Sequence, residues 1–137
     1  MTVNNNNITS GVSHVAITVL DLNATVSFFV DVLGYDKVGE DPGYPAAFVS
    51  DGSTMLALWQ AKDPANAVPF DRFNVIGLHH LAINVEDAQL DALHATLEKL
   101  EDCDIEFAPE LAYGGPSRHF MANIPGSGIR FEFRTNG

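Results

Sequence analysis

Gly11-Val-Ser-His14-Val-Ala-Ile17 and Gly77-Leu-His-His80-Leu-Ala-Ile83 read almost alike, and the fold follows from that likeness. Each stretch opens on glycine, places a histidine three residues on and runs into an apolar segment with a branched residue at nearly every second position, the pattern of a strand. The two histidines stand 66 residues apart (80 − 14), about half of the 137-residue chain. After each comes a similar succession, a helical pattern and then several short strand patterns. One unit is used twice.

In the first unit a strand is expected over Val12 to Leu20, with Val15, Ile17 and Val19 on one face and His14, Ala16 and Thr18 on the other. Asp21 can cap a helix whose apolar residues Leu22, Val26, Phe29 and Leu33 form one stripe at a 3.6-residue period, and Gly34 stops it. Strands are then expected at Tyr35 to Gly39, Ala46 to Ser50 and Thr54 to Gln60, separated by Asp41-Pro-Gly43 and Asp51-Gly-Ser53. The second unit repeats this order. A strand from Leu78 to Val85 sends Leu81, Ile83 and Val85 one way and His80, Ala82 and Asn84 the other. A helix carries Leu90, Leu93, Leu97 and Leu100, with Glu86 and Asp87 ahead of it where the helix dipole favours acid. Strands come next at Asp104 to Ala108, Ser117 to Asn123 and Ile129 to Arg134. In the last, Phe131 and Phe133 face the apolar side, so Arg130, Glu132 and Arg134 share the other. The expected architecture is α+β, two βαβββ modules over residues 11–61 and 77–137, joined by a polar, Pro-bearing linker at 62–76 and preceded by a loose arm at 1–10.

Composition bounds the function. Hydrophobic residues make up 46% of the chain, enough to bury a core. Eighteen acidic against seven basic side chains leave a formal charge of −11, which repels phosphate backbones and anionic lipids and argues against nucleic-acid or membrane partners. Cys103 is the single cysteine, so no intrachain disulfide can form and a reduced, cytoplasmic setting is the simplest expectation. No apolar run has the length of a membrane span, and the N-terminus lacks the basic start and apolar core of a signal peptide.

"His-Val-Ala-Ile" opening the first unit, "Ser-Phe-Phe-Val-Asp-Val-Leu-Gly-Tyr" along its helix, "His-His-Leu-Ala-Ile" opening the second and "Gly-Ile-Arg-Phe-Glu-Phe" closing it resemble the vicinal oxygen chelate superfamily. That superfamily includes glyoxalase I, extradiol dioxygenases, methylmalonyl-CoA epimerase, fosfomycin resistance enzymes and bleomycin resistance proteins. The resemblance covers residues 11 to 134. It implies curved mixed sheets that wrap a cleft, with helices packed outside, and commonly a homodimer whose clefts are shared between subunits. It also implies metal ligands on the first and last strands of each unit. Three of those four positions match: His14, His80 and Glu132, the last also the catalytic carboxylate. The fourth is Ala57, where glyoxalase I carries a glutamate and the epimerase a glutamine; Gln60 has the wrong parity to replace it.

Two imidazoles and one carboxylate leave coordination positions open for substrate, as catalysis at a divalent Fe, Mn, Ni or Zn ion requires. The expectation is therefore an enzyme that chelates neighbouring oxygens of a small substrate, with extradiol oxygenation among its possible reactions. The competing expectation is a non-catalytic binder of a small molecule or drug, as in the bleomycin resistance branch. Each named activity has its departure here: Ala57 for glyoxalase I and the epimerase, and Ala16 for the threonine of fosfomycin enzymes. For the dioxygenases it is the lack of an acid-base tyrosine near Ala122 to Ile124 and the altered turn Pro125-Gly-Ser-Gly128. Phe48, Trp59 and Tyr113 are candidates for an apolar substrate wall, and Arg118 and Arg130 for an anion fork. Each also has an ordinary reading in core or surface. His79, of opposite parity to His80, is expected on the helix side and His94 on the surface. His119 is left open between a role near the ligands or substrate and a purely structural one.

Overall fold

The computed structural model describes residues 6–136. The expected arm at 1–10 lies partly outside the described residues, as does the last residue of the second module. Two four-stranded mixed sheets carry the molecule. The first has the order β1-β4-β3-β2, from β1 (His14–Val19), β2 (Asp36–Asp41), β3 (Ala46–Ser50) and β4 (Met55–Gln60). The second has the order β5-β8-β7-β6, from β5 (Leu81–Asn84), β6 (Asp104–Leu111), β7 (Arg118–Asn123) and β8 (Arg130–Arg134). In each, the first strand of the unit runs parallel to its neighbour and the remaining pairs are antiparallel. That is the α+β, doubled βαβββ plan. A parallel pair needs a long crossover, and the helix between the first two strands of each unit begins it.

Helix α1 (Leu22–Ser27) starts where Asp21 accepts from the Ala24 amide at 3.1 Å and Gln60 Oε1 accepts from the Leu22 amide at 2.8 Å. Gln60 donates in turn to the carbonyls of Leu20 and Ala61, so its side chain belongs to the helix start. The helix widens to a π-turn over Phe28–Val32, with the Leu33 amide donating to Phe28 at 3.2 Å. Gly34 then leaves with φ +78°. Helix α2 (Leu90–Glu98) follows a 3-10 turn at Asp87–Gln89 and buries Leu90 and Leu97.

One core serves both sheets. Ile17, Val19, Leu56 and Leu58 from the first meet Phe120, Ala122, Phe131 and Phe133 from the second, with Phe29 of the π-turn edge-on to Phe131 at 6.1 Å. Each such side chain, removed from water, contributes roughly 1.5–3 kcal/mol. The turn before β8 clasps α1: the Asp21 amide donates to the Gly126 carbonyl at 2.8 Å, and the Thr25 hydroxyl reaches the Pro125 carbonyl at 3.0 Å. Gly126 has φ +71°, and a Cβ there would come within 2.6 Å of the Asp21 carbonyl oxygen. Glycine is required on both counts.

Because the inner sides of both sheets enter this core, their other sides look out of it. His14, Ala16 and Thr18 on β1 are exposed, as are Ala82 and Asn84 on β5. His14 and Glu132, two of the expected ligands, belong to these faces.

Candidate metal and substrate site

The polar centre lies on the open face of the second sheet. Glu132, third residue of β8, pairs in register with Ala82 and Met121 and is only 3% exposed. A buried carboxylate must find partners, and it has three. Its Oε2 lies 2.6 Å from His119 Nδ1 and 3.7 Å from Arg134 Nη1, while Oε1 lies 3.3 Å from His80 Nε2. An ionised carboxylate only accepts, so His119 donates through Nδ1. The other His119 nitrogen stands 4.0 Å from Glu110 Oε1, and its ring packs on Phe107.

His80 precedes β5, which begins at Leu81. Its neighbour His79 therefore does not obey strand alternation, and the expectation that it faces the helices is corrected. His79 Nδ1 lies 2.7 Å from His80 Nδ1 and 3.5 Å from Arg130 Nη1. Arg130 also binds Glu106 of β6 through two nitrogens, and Arg72 joins the same carboxylate at 2.6 Å. The bond from Arg130, more than that from Arg72, holds the Glu106 carboxyl below the usual carboxylate range. Lost hydration, then His80, Arg130 and Arg72, hold His79 below the ordinary histidine value. Beside this network is a hollow of about 510 Å³ lined by Phe70, Arg72, Phe73, Glu106 and Arg130 among others.

The open face of the first sheet is different. His14 is exposed and has the Ser13 hydroxyl at 3.2 Å. Ala57 sits between Ala16 and Phe48 in register, and Trp59 packs edge-on against Tyr44 at 4.2 Å and Phe48 at 6.3 Å. Phe48 and Trp59 thus form an aromatic wall around a floor of small residues. Tyr113 is 89% exposed in a 3-10 turn, its ring 6.2 Å from that of His119. Arg118 is turned to the helix side, where its guanidinium grips Asp91 of α2 with two bonds of 2.9 and 3.1 Å. This bond draws the Asp91 carboxyl down and the guanidinium up. His94, expected on the surface, is half-buried against Phe120 because α2 turns that flank onto β7.

Of the three expected ligands, then, His80 and Glu132 meet and His14 stands on the other sheet. Among the described residues no three His, Cys, Asp or Glu side chains are gathered closely enough within one chain to hold a metal. The pair that does meet suits one: two donors bound to one ion at roughly 2.0–2.2 Å and at right or tetrahedral angles stand about 3.0–3.5 Å apart, and His80 Nε2 and Glu132 Oε1 are separated by 3.3 Å. Sequence reasoning missed the contacts of His79, and for His119 it left a place near the ligands open, which is where the ring lies. A histidine doublet and the strand parity of His119 with Met121 were the signals available.

The geometry has relatives. Catechol-2,3-dioxygenase of Bacillus subtilis (strain 168) is 28% identical over 99 residues, 66% of this chain and 35% of that protein, so the chain spans about a third of that relative's length. Among solved structures, the fosfomycin resistance protein FosX from Listeria monocytogenes aligns with a TM-score of 0.72 at 15% identity, covering 95% of this chain and 96% of that one. Lactoylglutathione lyase from Agrobacterium tumefaciens aligns with a TM-score of 0.69 at 24% identity, covering 95% and 96%. These structural likenesses speak for the fold. A family model described as the Glyoxalase/Bleomycin resistance protein/Dioxygenase superfamily matches residues 11–133, nearly the whole chain. The protein belongs to that superfamily, whose fold is the vicinal oxygen chelate fold and whose members commonly use divalent metals.

Proposed function

We propose that the protein is a metal-dependent enzyme of the vicinal oxygen chelate type, acting on a small substrate with two neighbouring oxygens. The observation that carries this reading is the approach of His80 Nε2 to Glu132 Oε1 at 3.3 Å, with the other carboxylate oxygen already taken by His119. His80 and Glu132 would hold the ion from one subunit and His14 from a second copy of the chain. A divalent ion held there would supply Lewis acidity to the substrate.

The chain's own groups do the rest. His119 keeps Glu132 in one rotamer, so that Oε1 is the oxygen presented to the open face. Arg134, 3.7 Å from Glu132, places a positive charge beside the site and favours an anionic substrate oxygen. The aromatic wall of Phe48 and Trp59, on the sheet that carries His14, offers an apolar surface to the substrate body. Tyr113 stands exposed beside His119 at the rim.

A shared site accounts for the exposed surfaces. β1 and β5 are edge strands of their sheets, and Val12, Phe73 and Ile76 are at least 81% exposed. A second copy would cover such apolar groups and sheet edges. The aromatic wall also favours a second reading, a binder of flat drug-like molecules that performs no chemistry.

Elemental analysis of protein purified without added metal separates the two. The enzyme reading expects wild type to carry close to one transition-metal ion per chain and His80→Ala to have lost it; equal and low contents in both would overturn it. Sharing between subunits has its own test. Refolding His14→Ala and His80→Ala together should restore about a quarter of the metal sites, since half the dimers are mixed and each holds one intact site. No restoration would place all ligands in one subunit.

A further inference from the structure

Hydrogen-bond accounting around His79 constrains an atom that no distance alone settles, the position of the proton on His80. Two groups approach His79 Nδ1: Arg130 Nη1 at 3.5 Å and His80 Nδ1 at 2.7 Å. A guanidinium has donors and no acceptor. The lone pair must therefore be on His79 Nδ1, and the proton between the two rings must be carried by His80 Nδ1. In the neutral form of His80 that proton is the ring's only one, and the lone pair is then on Nε2, the atom that faces Glu132 Oε1 at 3.3 Å. The carboxylate cannot turn away, because its second oxygen is bound by His119 at 2.6 Å. In that form two electron-rich atoms face one another, whereas a second ring proton on Nε2 makes the same contact an ion pair.

Arg130 is itself fixed. Its Nε and Nη2 both bind Glu106, and Arg72 binds the same carboxylate from outside the sheet, so the nitrogen pointing at His79 is the one left over. The chain Arg72, Glu106, Arg130, His79 ends on the back of His80.

We propose that His79, backed by Arg130, is a positioning residue that fixes the tautomer of His80 and thereby presents its Nε2 lone pair toward Glu132. His79 would touch neither metal nor substrate and acts through His80. The use of that lone pair rests on the metal reading above; the tautomer itself does not. Rings that bind metal through one nitrogen are ordinarily held by an acceptor at the other, and loss of such a partner costs roughly ten- to a hundredfold in metal affinity.

The test is long-range proton–nitrogen correlation NMR on the full chain with nitrogen-15-labelled histidine, metal-free, at about pH 8, where an ordinary histidine is neutral. Wild type is expected to show His80 with its proton on Nδ1. His79→Leu is expected to lose that preference, and His79→Asn, whose side-chain oxygen can accept in the same place, to recover it. Zinc competition against a chromophoric chelator is expected to follow the same order, with His79→Leu weaker by roughly ten- to a hundredfold. Should wild-type His80 carry its proton on Nε2, or should His79→Leu leave the Nδ1 proton in place, the assignment is overturned. If His79→Leu does not fold, Arg130→Gln, which removes the group that forces the direction of the bond, takes its place with the same expected loss. An Nδ1 proton on His80 together with no zinc binding by wild type would sink the metal reading and leave the role of His79 standing.

Discussion

The two open faces share one backbone plan and differ in chemistry at almost every position. By strand register, Ala16 and Thr18 of β1 correspond to Ala82 and Asn84 of β5, and Ala57 and Trp59 of β4 to Glu132 and Arg134 of β8; one step back, His14 and Met55 correspond to His80, just ahead of β5, and Arg130. On the next strand, Ala46 and Phe48 correspond to His119 and Met121. The inward positions changed far less: Leu56 and Leu58 match Phe131 and Phe133, all buried. A residue that enters the common core is held by packing, while one on the open side is free to take up function. The first face has become a wall of small and aromatic groups with one histidine. The second has become a charged network.

The largest effect is expected where that contrast is sharpest. Glu132→Ala gives the second face the residue of the first and removes the single carboxylate that bridges His80 and His119. Metal affinity should fall on the order of a thousandfold, beyond the roughly hundredfold loss typical of an outer partner. His119 loses its acceptor as well. A variant that retains wild-type metal content would break the comparison.

The reverse substitution sharpens it. Ala57→Glu places a carboxylate at the position of Glu132, but Ala57 is 2% exposed and its neighbouring strand offers Ala46 where the second sheet has His119. An unpartnered buried charge should cost about 3 kcal/mol in urea unfolding. Adding Ala46→His supplies the missing donor. The pair should then recover about 1–2 kcal/mol as a coupling energy in a double-mutant cycle; strict additivity would show that the His119–Glu132 relation depends on more than these two positions.

Much of this contrast was legible in the chain, and the limits of that reading are physical. Period-two alternation placed His14 and His80 outward and Phe131 and Phe133 inward, because each sheet has one packed side. It also separated Glu132 from the core residues flanking it. Alternation applies only within a strand, however, and β5 starts at Leu81, so it misplaced His79 by one face. The contact of His119 with Glu132 depends on the register of β7 against β8, which is set by the intervening turn and by core packing across 13 residues. Arg118 was grouped with cleft residues although its parity is opposite to that of His119; Asp91 on α2 holds it on the helix side. The three expected ligands were drawn from two sheets whose open faces both leave the shared core, and periodicity within each unit has nothing to say about how such faces are brought together.

The turns between the last two strands of each unit extend the comparison to stability. Gly52 has φ +91° and nothing within 4 Å of the place a Cβ would take, whereas Gly126 has φ +71° and faces the Asp21 carbonyl, Ala24 and Thr25. Gly52→Ala should cost about 1 kcal/mol, the strain of a left-handed residue alone. Gly126→Ala adds a collision with α1 and should cost about 2 kcal/mol or more. Equal losses by thermal or urea unfolding would mean that the clasp between the turn and α1 yields at no cost.

The smallest effects concern Tyr35 and Cys103, which occupy the same place in the two units, one residue ahead of β2 and of β6. Burial, with help from Asp51, pushes the Tyr35 hydroxyl up to about 12; burial, with help from Asp104, pushes the Cys103 thiol up to about 11. Both groups are charged when deprotonated, so a raised value means that the unfolded chain loses its proton first. Over that interval the folded state binds more protons, and stability declines as pH rises. The decline should begin at about pH 8, where a cysteine of ordinary value starts to ionise, continue through the tyrosine range and end near pH 12. Urea midpoints measured across that range should fall less steeply in Cys103→Ser over the lower part and in Tyr35→Phe over the upper part. A midpoint that rises with pH would reverse the sign and show that neither group is desolvated as its position implies. At about pH 8.5, where an unperturbed thiol is half ionised, Cys103 should also be alkylated more slowly in the native protein than in urea, since only the thiolate reacts.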